Sequence, residues 1–341
     1  MKLCKGAVLA LAVSYGLIYC HTNKSKFMLE QKGDSLTLIH ITNPTNYILL
    51  PIEEAAEESR VRLDIGDAAD TDMDIRLAQT KVDYWVPFVL PADAKTVTVR
   101  VQKSLGDALC WKEMKLSDTF DPSHTDKFRP VYHHAPLYGW MNNANGLVYE
   151  DEEYHLYYQY NPYGSKWGNM HWGHSISKDL MHWEHLAPAI VRDTLGHIFS
   201  GSSIVDQENV AGYGTGTILA FYTSASDKNG QIQCLAYSND NGRTFTKYDK
   251  NPILRSSDRR KDFRDPKVFW YAPGNKWIMI VAADKEMCFY DSEDLKDWNY
   301  MSSFGEGYGV QPCQFECPDM VELPVDGDTE HKKWALIVNV N

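Results

Sequence analysis

Three short blocks hold the side chains of this sequence best suited to acid–base and hydrogen-bonding chemistry. They are Gly139-Trp-Met-Asn-Asn-Ala-Asn-Gly146, Phe263-Arg-Asp-Pro266 and Gln314-Phe-Glu-Cys-Pro-Asp319. Their carboxyls are Asp265, Glu316 and Asp319, their guanidinium is Arg264, and their amides include Asn142 and Asn143. Carboxyls exchange protons and carry negative charge, while amides and guanidinium donate hydrogen bonds. Taken singly, each carboxyl reads as a solvated or turn group, and Arg-Asp-Pro is a short match. Metal chemistry is not indicated. Cys313 and Cys317 are four apart with no second pair nearby, and no Cys/His cluster has zinc spacing. Cys110, Cys234, Cys288, Cys313 and Cys317 read as buried free thiols.

The elements that must position these blocks are strands. Tyr154-His-Leu-Tyr-Tyr-Gln-Tyr160, Ile218-Leu-Ala-Phe-Tyr222 and Trp277-Ile-Met-Ile-Val281 are dense in aromatic and β-branched residues. A turn pattern recurs beside them. Ser177-Lys-Asp179 leads to Trp183, Ser238-Asn-Asp240 to Phe245, and Ser292-Glu-Asp294 to Trp298. One such turn per four-stranded sheet predicts a β-propeller. Residues 21–125 are different in texture. Runs beginning at Leu36, Tyr47, Val61, Tyr84 and Thr96 alternate apolar with polar residues, which predicts a small antiparallel β-sandwich. The acidic run of residues 53–58 reads as a helical turn or a solvated loop. Residues 120–130 read as a polar linker, so the predicted domains are 21–125 and 126–341. The predicted class is all-β: a five-bladed propeller, its fifth blade incomplete, preceded by the sandwich.

In this order and this texture the three blocks resemble the signatures of glycoside hydrolase family 32, the invertases, levanases and inulinases. The resemblance runs from about residue 131 to the end. It extends to Gln159-Tyr-Asn-Pro162, Trp167, Trp172-Gly-His174 and Phe199-Ser-Gly201. It implies that Asn142, Gln159, Trp167, Phe199, Ser200 and Arg264 line a pocket for a terminal fructose. It implies that Glu316 is the acid/base and that Asp265 holds sugar hydroxyls and stabilises the transition state. The position matching the nucleophile is Asn143, where the family has Asp, and Ala144 replaces the adjacent Pro. An amide lacks the charge that retaining hydrolysis needs at the anomeric carbon.

The function implied is hydrolysis of terminal β-fructofuranosyl linkages in fructans or sucrose. The alternative is a fructan-binding protein without turnover. A propeller glycosidase for arabinose-type sugars fits less well, because Cys317 directly follows Glu316. No cofactor is implied, since two carboxyls suffice. The chain stops one residue after a good strand, Trp334-Ala-Leu-Ile-Val-Asn-Val340, which reads as a fragment of a longer protein.

Composition limits the other classes. The 341 residues carry 34 Lys+Arg and 46 Asp+Glu, a net charge of −12. That balance argues against a nucleic-acid partner. Aromatics are 12%, a surplus that suits carbohydrate contact or β-rich packing. Lys2 and Lys5 precede an uncharged, mostly apolar stretch from residue 6 to 19, which reads as an export signal within residues 1–20. Cys20 follows it, so the expected location is periplasmic, cell-surface through a lipid on Cys20, or extracellular. No later stretch is apolar enough to span a membrane. The sequence carries no signal of oligomeric state.

Overall fold

Period-two alternation of apolar residues dominates the chain, and the computed structural model turns it almost entirely into strands. The structure describes residues 18–340 except 22–24, 66–67, 70, 92, 104–105, 123–128, 259, 306 and 310–312. Most of the expected export signal therefore lies outside the described residues. The chain divides into two compact units, Met1–Asp121 and Pro122–Asn341. Among the described residues no helix is long and apolar enough to cross a membrane.

In the first unit the strands are β1 (Ile18–His21), β2 (Ser25–Lys32), β3 (Leu36–Thr42), β4 (Tyr47–Ile52), β5 (Ser59–Ile65), β6 (Ala68–Ala69), β7 (Met73–Ile75), β8 (Tyr84–Val89), β9 (Thr96–Gln102) and β10 (Lys115–Ser117). One sheet has the order β1-β2-β3-β9-β5-β6, with β7 also on β5, and the other is β10-β4-β8. Alternate residues are buried, such as Ile39 and Ile41 of β3, Val97 and Val99 of β9, and Ile48 and Leu50 of β4. The acidic run at residues 53–58 is neither helical nor wholly solvated. Glu53 is buried and accepts hydrogen bonds from the backbone N–H groups of Gln79, Thr80 and Lys81. Those three donors hold its carboxyl at about 2, well below the usual range. These partners are not visible from the acidic run itself, because they lie 26 to 28 residues away.

The second unit contains β11 (Trp140–Glu150), β12 (Glu153–Asn161), β13 (His171–Ser177), β14 (Glu184–Ile190), β15 (His197–Asp206), β16 (Thr217–Ser226), β17 (Gly230–Ser238), β18 (Thr246–Lys247), β19 (Phe263–Tyr271), β20 (Lys276–Ala283), β21 (Glu286–Ser292), β22 (Asn299–Phe304), β23 (Phe315–Val325) and β24 (Asp328–Val340). They form three four-stranded antiparallel sheets in simple sequence order, followed by the pair β23-β24. The first strands of successive sheets, β11, β15, β19 and β23, lie side by side, so the sheets stand as propeller blades around them. Each recurrent Ser/Asp turn closes one blade between its third and fourth strands. Ser177 Oγ donates to Asp179 and accepts from Leu180 N at 2.8 Å; Ser292 does the same with Asp294 and Leu295 at 2.8 Å. Ser238 donates to Asp240 at 2.7 Å. Trp183, Phe245 and Trp298 each stand one residue before the fourth strand.

The strand at the end of the chain belongs to the fourth sheet, not to a fifth blade as the sequence suggested. Three Ser/Asp turns close three blades, so the strand pair after the third turn begins a fourth. Aromatic packing fills the space between blades. Tyr157, Trp172, Ala220 and Tyr222 share one cluster, and Phe221, Phe263, Met279 and Val281 another. Gly146 (φ +56°) is required in the first: a Cβ there would stand 2.7 Å from Trp172 and 2.9 Å from Ser203 Oγ.

Two histidines are sealed in the first blade. Burial pushes His171 and His174 down to about 3. His174 Nε2 and His155 Nδ1 are hydrogen-bonded at 3.1 Å, so one ring donates and the other, which must be neutral, accepts. Unfolding restores a pKa near the ordinary value of about 6.5. Between these values the unfolded chain binds more protons, so stability falls as pH drops through 6.5 and keeps falling towards 3. Each ring contributes up to about 1.4 kcal/mol per pH unit. The urea midpoint should be clearly lower at pH 5 than at pH 7, and His174→Gln should shrink that difference. Equal midpoints at the two pH values would contradict the assignment.

Candidate active site

A two-for-one mismatch recurs at the start of every inner strand. Between Met141 and Ala144, β11 sets Asn142 and Asn143 against the single residue Gln159 of β12. In β15, Phe199 and Ser200 face Thr223 alone. In β19, Asp265 and Pro266 face Val281. In β23, Cys317 and Pro318 face Val338. Such bulges turn side chains out of the regular alternation and aim them at one place. Pro suits the bulged position at 266 and 318, because it brings no N–H that a ladder would have to satisfy. Asp265 and Cys317 have positive φ, +61° and +49°, a conformation that few residues other than Gly adopt.

The bulges bring most of the sequence-predicted residues together. Asn142 Nδ2 donates to Gln159 Oε1 at 3.1 Å, and Gln159 Nε2 donates to Ser200 Oγ at 3.0 Å. Arg264 binds Glu316 through Nη2 and Asp262 through Nη1, and its Nε stands 3.9 Å from Asp265. Asp265 is buried and accepts from the backbone N–H of Cys317 at 2.9 Å. Asn143 Nδ2 points at Cys317 Sγ at 3.4 Å. Trp167 is 52% exposed, with its ring 6.0 Å from Phe199 and 5.5 Å from His197. The result is a half-open cup with an aromatic wall, amides on one side and two carboxyls with a guanidinium on the other.

The electrostatics are uneven. Burial pushes the Asp265 carboxyl up, against the opposing pull of the Cys317 N–H and Arg264. Burial also pushes the Cys317 thiol up to about 12, with the neighbouring Asp265 adding to the effect. Arg264 loses by burial but gains more from Glu316 and Asp262, so it stays firmly charged. A thiol rather than a thiolate therefore faces Asn143. Among the described residues no cluster of three or more His, Cys, Asp or Glu side chains could hold a metal ion.

Four supporting residues escaped the sequence reading. Thr223 Oγ1 accepts from Asp265 N at 3.0 Å and donates to Gln233 Oε1 at 2.7 Å. Gln233 Nε2 donates to the Phe263 carbonyl at 2.6 Å. Gln231 Oε1 accepts from Phe263 N and Arg264 Nη1. Asp262 anchors Arg264 from the other side. The signal was present in Gln231-Ile-Gln-Cys234: buried strand amides need partners. Thr223→Val keeps the shape but leaves Asp265 N–H and Gln233 short of a partner. It should lower stability by about 1–3 kcal/mol in denaturant titration. A variant as stable as the parent would remove Thr223 from the support of Asp265.

Residues 133–341 match the family described as Glycosyl hydrolases family 32 N-terminal domain, and residues 33–132 match a domain of unknown function, DUF4980. The chain is similar to the levanase of Bacillus subtilis, 51% identical over 229 residues, covering 66% of this chain and 33% of the levanase. It is similar to Invertase 2 of Saccharomyces cerevisiae, 41% identical over 226 residues, covering 62% of this chain and 42% of the invertase. Among solved structures, the exo-inulinase of Aspergillus awamori superposes with a TM-score of 0.60 at 36% identity, over 65% of this chain and 48% of that one. The fructofuranosidase of Schwanniomyces occidentalis complexed with fructose gives 0.57 at 39% identity, over 62% and 42%. The chain thus spans between a third and a half of the length of these relatives.

Proposed function

Since the chain belongs to glycosyl hydrolase family 32, we propose that its second unit is a site for terminal β-fructofuranosyl groups of fructans or sucrose. We assign retaining hydrolysis as the chemistry for which the site is built. Glu316 protonates the leaving oxygen, Asp265 holds sugar hydroxyls and stabilises the oxocarbenium-like transition state, and position 143 faces the anomeric carbon. Asn142, Gln159, Ser200 and Arg264 bind the hydroxyls of the fructose, with Trp167 and Phe199 against its apolar side. The relatives, a levanase, an invertase and an exo-inulinase, support this substrate class. We assign the apolar segment after Lys5 to export of the chain, and five blades to the complete propeller.

One observation carries the reading. The thiol of Cys317, the residue after Glu316, accepts from Asn143 Nδ2 at 3.4 Å and donates to Asp265 at 3.6 Å, while Arg264 pairs with Glu316 and stands 3.9 Å from Asp265. These contacts support the assignment of positions 143, 265 and 316 to one site. The same contact favours a second reading, a fructan-binding protein. An amide N–H donates to a sulfur that a carboxylate could not engage in that way. As it stands, the site binds a fructosyl group and turns it over slowly or not at all.

Fructose release from sucrose, levan and inulin tests both. Asn143→Asp should raise turnover by several orders of magnitude with a much smaller change in affinity, and adding Glu316→Gln should abolish most of that gain. If Asn143→Asp binds fructan yet releases no fructose, the binding reading replaces the enzymatic one. If the unaltered chain is brisk, and mass spectrometry excludes deamidation at Asn143, the nucleophile position is wrong. A double variant as fast as Asn143→Asp alone would remove Glu316 from the acid/base role.

A further inference from the structure

The fructosyl site lies where the inner strands begin, and two other features open at that end of the third blade. The turn from β20 to β21 is there, because Ala283, the last residue of β20, pairs with Phe263, the first of β19. The end of β22 is there too, because Phe304 pairs with Met287 at the start of β21.

Beside the turn is an open cavity of about 430 Å³ whose polar lining comes from Arg260, Asp262, Asp284, Lys285, Glu286 and Gln314. Its lining touches the fructosyl site through one side chain: Asp262 pairs with Arg264, and Arg264 holds Glu316. The charges of the wall alternate in sign. Arg260 is matched by Glu286 at 3.0 Å and by Asp258 at 2.8 Å. Such a wall has no single-sign field to draw an ion, but it offers donors and acceptors to a neutral, hydroxyl-rich molecule.

At the far rim two rings stand in solvent. Phe304 is 49% exposed and Tyr308 63%, with centroids 4.8 Å apart. They adjoin the cavity, since a Cβ on Gly305 would lie 3.0 Å from the Lys285 carbonyl and 3.3 Å from Glu286 Cα. An exposed aromatic pair next to a polar trough offers flat faces to the C–H side of sugar rings.

Building on the fructosyl site proposed above, we infer that this trough and the Phe304/Tyr308 pair bind the sugar units that follow the terminal one. The substrate class of this site is then a polymeric or oligomeric fructan rather than a disaccharide. Sucrose has only one unit beyond the scissile bond and does not reach the pair. A fructan chain leaves past Glu316, crosses the trough and lies against the two rings.

Calorimetric titration of the folded chain with sucrose and with inulin-type and levan-type oligosaccharides of five or six units tests this. The expected result is binding of at least one oligosaccharide roughly tenfold tighter than sucrose. Phe304→Ala and Tyr308→Ala, each checked for an unchanged melt, should each weaken that oligosaccharide roughly fivefold and leave sucrose within about twofold. The inference is overturned if both oligosaccharide types bind no better than sucrose, or if both variants bind them like the parent. If the unaltered chain binds neither sucrose nor any oligosaccharide, the fructosyl site itself is wrong, and the inference falls with it.

Discussion

Each inner strand of the propeller has, near its start, one residue more than its partner can pair, and β11 has a second such mismatch further on. That repeated mismatch determines where the chemistry can be. A regular strand sends alternate side chains into the two neighbouring blade interfaces, where Phe221, Phe263 and Val281 pack. A bulge breaks the alternation once and releases two positions from interblade packing. Four bulges release Asn142 and Asn143, Phe199 and Ser200, Asp265, and Cys317 at one end of the inner strands. Without the mismatches these residues would have to choose between the core and solvent.

Asp265 shows how tightly the arrangement is held. A buried carboxyl must be compensated, and a left-handed non-glycine residue costs about 1–3 kcal/mol. The compensation comes from three blades: Thr223 takes the N–H of Asp265, Arg264 stands beside the carboxyl, and Cys317 N–H donates to it. Cys317 is itself left-handed, and that conformation turns its N–H towards Asp265 and its sulfur towards Asn143. On the reading proposed above, the amide at 143 sits where the reaction needs a charge. The rings of Phe304 and Tyr308 stand at the same end of the third blade.

Much of this was legible in the sequence, for reasons that differ by residue. The Ser/Asp turns announced blades because each is a local hydrogen-bonding device completed within three or four residues. The runs from Leu36 and Thr96 announced strands because their burial alternates as their polarity does. Arg264, Asp265 and Glu316 were visible through the blocks that contain them. Thr223, Gln231 and Gln233 were not, because the backbone groups of Phe263 and Asp265 that they hold are 30 or more residues away and each reads alone as an ordinary strand residue. Glu53 was misread for the same reason. The position of the last strand pair was also misjudged, since a turn count of three places it in the fourth blade.

The central claim is that four bulges assemble a fructose-binding cup whose contacts survive the amide at 143. The most direct measurement is a crystal structure of this chain with fructose. The account predicts one fructose ring against Trp167, with its hydroxyls on Asn142, Gln159, Arg264 and Asp265 and its anomeric carbon facing Asn143. Fructose bound away from these residues, or a cup left empty at a concentration that saturates binding in solution, would contradict it.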